Sequence, residues 1–147
     1  RPNGDRRPYT LNRLELRICD LISDPISLLA ITALLEARLI QLIENPLLDP
    51  LQMSQLSAEE LVELSDANEV EAARSSLDAE LRHWQTGAPI LARDWIAQLY
   101  DEVWAIAKRE GFSCFLLPVR KILREGNEAQ KWLALQSQGL DQQTILK

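Results

Sequence analysis

The stretch "NRLELRICD", residues 12–20, alternates strictly: Leu14, Leu16 and Ile18 fall on one side, Glu15, Arg17 and Cys19 on the other. That period-two pattern predicts a half-buried β-strand. The residues before it, 1–11, carry Pro2, Asn3–Gly4 and Pro8 and predict a loop. From residue 24 the pattern turns helical. Asp24 stands as an N-cap with Pro25 at the first helical position. Apolar residues then surround much of a helix that runs to about Glu44, broken at Thr32, Glu36, Arg38 and Gln41, which predicts burial on several sides.

Beyond a loop with Pro46 and Pro50, Ser57 and Glu60 form a capping box. A second helix start is expected near Ser65–Asp66, followed by helix to Gly87, with His83 on it. Residues 93–110 put Trp95, Ile96, Leu99, Val103, Ile106 and Ala107 on one face, and Gly111 ends that helix. Residues 113–125 read as helix, with Pro118 bending it or marking its start and Gly126 stopping it, although "FSCFLL" is a weak strand candidate. One more helix follows from Asn127, and a short one closes the chain. The fold class is therefore mainly α with one orphan β-strand: 1–11 loop, 12–20 strand, 24–147 helical. A lone strand cannot satisfy its own ladder hydrogen bonds. Together with a start at Arg1 rather than methionine, it leads to the expectation that 1–147 is a segment of a larger domain, with the remaining strands on other residues or another chain.

Composition narrows the function classes. A net charge of −6 argues against nucleic-acid binding, since phosphate contacts need clustered Lys and Arg. The most apolar run, residues 26–43, holds Glu36 and Arg38 and fits a buried helix better than a membrane span. No signal peptide is visible. Cys19 and Cys114, far apart and in apolar runs, read as reduced, buried small hydrophobes, consistent with a cytoplasmic setting.

Most catalytic signatures are absent. The five glycines match no phosphate-cradling loop, and His83 is the single histidine, so a triad or a zinc site has little to draw on. His83 reads as a partly exposed surface residue. The pairs Asp101–Glu102 and Glu59–Glu60 read as solvated faces, and Trp84, Trp95, Trp104 and Trp132 as core or interface anchors. What remains is Glu15 and Arg17, on one face of the strand with Cβ atoms about 7 Å apart. They fit a surface strand whose charges pair across to neighbours. They also fit a metal–nucleotide site, a carboxylate for Mg²⁺ beside a guanidinium for a transferring phosphoryl group. Spacing alone does not choose between these readings.

"RLELRICD" resembles the Glu-x-Arg-x-Cys-Asp strand of type-2 glutamate–cysteine ligases and related carboxylate–amine ligases, which share a glutamine-synthetase-like α+β fold. The string here is Glu15, Arg17, Cys19 and Asp20, followed by the long apolar helix. "NEVEAARSSLDAEL" is similar to a family helix, with Asn68, Arg74, Leu77 and Asp78 matching while Ser75 and Ser76 replace the usual Tyr-Gly. The end of the chain, from Gly126, is similar to the family's closing helix and Gly-x-Asp turn, most of all in the cyanobacterial branch.

The resemblance implies that the chain is the C-terminal part of an ATP-dependent ligase that joins glutamate to cysteine through a γ-glutamyl phosphate, the first step of glutathione synthesis. It implies Glu15 as a Mg²⁺ ligand, and Arg17 as the catalytic group and holder of the ATP phosphate. Asp20 and Arg74 would orient these groups. The partners are then the two amino acids, ATP, Mg²⁺ and the remaining N-terminal part of the enzyme, with oligomers open and no nucleic acid or membrane. A different class also explains the orphan strand: a non-catalytic helical interaction module whose strand pairs with a partner's sheet. A helical bundle binding a small molecule has no positive support in the sequence.

Overall fold

The computed structural model describes residues 22–45, 47, 49–141 and 144. The strand expected at 12–20 lies outside the described residues. Those described are mainly α with a small antiparallel hairpin. The elements run α1 (Pro25–Glu44), α2 (Pro50–Met53), α3 (Ala58–Ser75), a 3-10 turn (Ser76–Asp78), β1 (Glu80–Arg82), β2 (Pro89–Leu91), α4 (Ala92–Arg109), α5 (Ser113–Glu125) and α6 (Glu128–Ser137).

Helix α1 starts where its cap is written. The Asp24 carboxylate accepts from the Ile26 and Ser27 amides at 3.2 and 3.0 Å and from the Ser27 hydroxyl at 2.6 Å. These donors hold the Asp24 carboxyl below its ordinary pKa, the Ser27 hydroxyl contributing most. Helices α1, α4 and α5 pack against one another and enclose the main core. Ala30, Ala33 and Ala37 form the stripe of α1 that faces it, opposite Tyr100, Val103 and Ala107 of α4 and Leu116 and Val119 of α5. Three small residues at helical spacing let the neighbouring helices approach closely. Ion pairs from Arg38 to Glu102 at 3.0 Å and from Arg109 to Glu44 at 2.6 Å strap α1 to α4 along the rim.

The burial of α1 corrects the expectation of several buried sides. Only the alanine stripe is buried, while Ile26, Leu28, Leu29 and Ile43 stand exposed, Ile43 at 78%. The helix is long and apolar enough to cross a membrane by length and composition, yet its small-residue face is built into the α4–α5 core.

A second layer consists of α3, the hairpin and α6. Its α3 begins at the Ser57–Glu60 capping box and continues unbroken through Ser65–Asp66, where a new start was expected. It ends at Ser75 rather than Gly87, because Ser76 takes φ +55° and ψ −128°, a backbone that helix cannot continue. Residues 80–82 and 89–91 then pair antiparallel, Glu80 with Leu91, Leu81 with Ile90 and Arg82 with Pro89. The hairpin turns at Gly87, whose φ of +70° suits a residue without Cβ. The helix expected over 113–125 is α5, with Pro118 inside it, and the weak strand alternative over "FSCFLL" is not taken up. One other expectation changes: Cys114 on that helix is exposed, not buried. Gly111 and Gly126 end α4 and α5 in left-handed conformations as expected.

Candidate functional site

The residues of the expected phosphoryl site, Glu15, Arg17, Cys19 and Asp20, lie outside the described residues. Arg74, the remaining one, sits in the last turn of α3 with its side chain 74% exposed, 3.8 Å from Glu71 one turn earlier. The favourable location of a cation at a helix C-terminus accounts for it there. Among the described residues no group of three or more His, Cys, Asp or Glu side chains could hold a metal ion.

Side chains of the "N…RSSLD" stretch do more than its arginine. The Asn68 amide pairs with the backbone of Arg82 in both directions. Its Nδ2 donates to the Arg82 carbonyl at 2.9 Å, and its Oδ1 accepts from the Arg82 N–H at 2.8 Å. Asn68 thus behaves as one more strand partner and ties α3 to the edge of β1. Asp78 is shared by two helices: one carboxylate oxygen accepts from the Arg93 guanidinium at the start of α4, the other from Gln130 Nε2 on α6 at 2.8 Å. Ser76 Oγ accepts from Asn127 Nδ2 at 2.6 Å, and Asn127 also caps α6 in a box with Gln130. Ser76 therefore occupies a glycine-like backbone angle and is held there by Asn127.

This polar bracket borders a cleft of about 380 Å³ between the end of α3, β1, α4 and the start of α6. Its walls are Ala72, Leu77, Leu81, Ala92, Trp95, Ile96 and Leu99, with Ser76 and Asn127 at its polar end. The volume is within the range of small-molecule sites, about 300–1,000 Å³.

On the far side of Trp95 lies a smaller cleft of about 100 Å³, lined among others by Arg38, His83, Trp84, Trp95 and Glu102. His83 is in the hairpin turn, not on a helix. Its ring centroid is 5.7 Å from that of Trp84 and 5.2 Å from that of Trp95. Its Nδ1 accepts from the Gln85 N–H at 3.2 Å, which leaves the proton of the neutral ring on Nε2. The loop before α3 clamps this turn, with Gln55 N–H donating to the Gln85 carbonyl at 2.8 Å and Ser54 Oγ to the Trp84 carbonyl at 2.6 Å. Sequence reading missed both clefts. A helix through residues 80–87 would have spread these side chains around a cylinder, whereas the hairpin gathers them.

The architecture defines a mainly helical module in which a polar bracket and the larger cleft sit beside α4 away from the alanine core, and the smaller cleft lies between the hairpin turn and the α1–α4 rim. The family model for glutamate–cysteine ligase family 2 matches residues 1–144, almost the whole chain, and the chain belongs to that family. No curated protein and no solved structure matches it.

Proposed function

We propose that the chain is part of an ATP-dependent glutamate–cysteine ligase that forms γ-glutamylcysteine through a γ-glutamyl phosphate. The observation that carries this reading is the family match, because it extends across the Glu15–Arg17 string. Membership makes a ligase of the carboxylate–amine type the expected chemistry. In that reaction ATP phosphorylates the γ-carboxylate of glutamate, and the cysteine amine then attacks the acyl carbon and expels phosphate.

In this reading Glu15 supplies a hard oxygen ligand of the kind Mg²⁺ takes, and the Arg17 fork holds anionic oxygens of the transferring phosphoryl group. The charge that Arg17 faces grows as the phosphoryl group moves, so its contribution belongs to the transition state. Mg²⁺, when bound, offsets the charge of the ATP phosphates. Asp20 would orient this pair. Arg74, exposed and paired with Glu71, is proposed to act only through α3. A cytoplasmic setting fits the free amino acids and ATP that the reaction consumes. The further strands and carboxylates of the site are proposed to lie on a preceding part of the enzyme, so residues 1–147 alone should be inactive.

The test is ADP release by the polypeptide that carries this segment in its source cell, measured with glutamate and cysteine together and with each omitted. Release that needs both, and γ-glutamylcysteine as product, is the expected result. Arg17→Ala should lower kcat at least about 100-fold, the scale of losing one transition-state donor. Release that is independent of either amino acid, or an unchanged kcat, would remove the proposal. Steady turnover by the 147-residue chain alone would remove its fragment part.

A further inference from the structure

Helix α1 carries two apolar faces, and the α1–α4–α5 core uses one of them. The alanine stripe packs against α4 and α5. Leu28, Ile31, Leu35, Leu39 and Leu42 recur at spacings of three and four and lie roughly 170° around the helix from it. Leu28 is 49% exposed and the other four are half-buried. None of the five belongs to that core or to the side chains packed against it. A second apolar stripe of this length, on a helix already built into a core, implies a cover of its own.

The chain before α1 supplies a cover of the right reach and chemistry. The alternating string 12–20 ends two residues before Ile22, where the described chain begins. Residues 21–24 are all that separate it from α1, a connection within the usual range of about two to six residues between a strand and a helix. A connection that short sends the second element back along the first. The lengths agree as well: nine residues of strand span about 30 Å, and so do the 20 residues of α1. Laid back from the short connection, Ile18 falls beside Leu28, Leu16 beside Ile31 and Leu35, and Leu14 beside Leu35 and Leu39. Those three string residues form its aliphatic face, while Arg13, Glu15 and Arg17 fall on the other.

We propose that the leucine stripe of α1 is the docking surface for residues 12–20, with Leu14, Leu16 and Ile18 seated on Leu28, Ile31, Leu35 and Leu39. Because successive side chains of a strand alternate, Glu15 and Arg17 then point away from α1. The contact rests on the strand expected at 12–20 and not on the ligase reading, and it is read without turnover.

The test is thiol labelling in the polypeptide that carries this segment, with Leu35→Cys introduced on the stripe. Its reaction with a charged maleimide is followed by peptide mass spectrometry, which separates position 35 from Cys19 and Cys114. Leu16→Asp puts a charge into the contact and should speed labelling at position 35 at least about tenfold, as local opening does. Leu16→Ala should act in the same direction, and it carries the test if the aspartate perturbs folding. Arg13→Asp, on the opposite face of the same string, should leave the rate unchanged. Circular dichroism should show the same helix content in every variant, since none of these positions is in the core. Labelling that ignores both changes at Leu16, or that responds equally to Arg13→Asp, would overturn the proposal. So would protection at position 35 that falls on dilution, which would assign the stripe to a second copy of the chain.

Discussion

The two layers that meet on α4 are held together by different physics. On one side, α1 and α5 press an alanine stripe and a few branched side chains against Tyr100, Val103 and Ala107. The main contacts are apolar and close, and the ion pairs lie at the rim. On the other side, α3, the hairpin and α6 are joined by side-chain hydrogen bonds: Asn68 to Arg82, Asp78 to Arg93 and Gln130, Ser76 to Asn127. The apolar layer resists change in volume, and the polar layer resists change in identity. The larger cleft lies on the polar side, where specific donors and acceptors leave apolar walls uncovered, and the smaller one lies where the hairpin turn meets the Arg38–Glu102 rim.

The largest effect should come from the apolar layer. Leu116 is fully buried between the three helices. Leu116→Ala should cost about 2–5 kcal/mol, the range for a truncation that leaves a cavity. Chemical denaturation would read it as a lower midpoint. A loss below about 1 kcal/mol would mean that the alanine stripe collapses onto the gap and that the layer is not tightly packed. The polar layer should respond more gently and more selectively. Asn68→Ala removes two hydrogen bonds at a partly exposed position, about 1–2 kcal/mol together. Asn68→Asp keeps the acceptor for the Arg82 N–H but loses the donor to its carbonyl, so it should fall between the two. Amide exchange at Arg82 should rise more than exchange at Val103 in both variants. Equal rises would show that the hairpin does not depend on Asn68.

That contrast also explains what could be read from the sequence. The apolar layer is written in helical period, and the extents of α1, α4 and α5 follow from caps and glycines at Asp24, Pro25, Gly111 and Gly126. The hairpin is hidden by the same rule. Ala73, Leu77, Leu81 and Trp84 recur at spacings of four and three, which imitates a helix face, and strands of three residues are too short to show alternation. The helix breaks at Ser76, a non-glycine residue at φ +55°, which nothing in the hydrophobic period marks. Periodicity also overstated α1: an apolar helix implies partners on several sides, yet only its alanine stripe is fully buried, and Ile26, Leu28, Leu29 and Ile43 stand exposed. The family was legible from the nine-residue string at 12–20 and the order of weaker matches. Of the residues singled out by that matching, Arg74 lies on the described part, solvent-facing beside Glu71 in the last turn of α3. The clefts were not legible at all, because they depend on which side chains the hairpin brings to α4.

One polar atom breaks the separation between the layers, and removing it should sharpen the comparison. Tyr100 is 2% exposed, and its hydroxyl has no hydrogen-bond partner among the described residues. Its ring is held by Trp104 at 5.5 Å and by the Arg120 guanidinium 4.8 Å from the ring centroid. Burial raises its pKa above the ordinary 10.0, and the nearby Arg120 offsets only part of that. The native state therefore keeps the phenol neutral at a pH where the unfolded chain has begun to ionise. The unfolded state then holds fewer protons, so stability falls as pH rises through and above 10.0, while below it both states are protonated and nothing changes. Tyr100→Phe should remove this alkaline loss. At neutral pH it should also stabilise by about 1 kcal/mol, because an unpaired buried hydroxyl is no longer withheld from water. Thermal melts of both proteins from pH 7 to pH 11 would check it. Parallel curves would mean that the hydroxyl reaches water in solution, and that the apolar layer is looser beside Tyr100 than its 2% exposure implies.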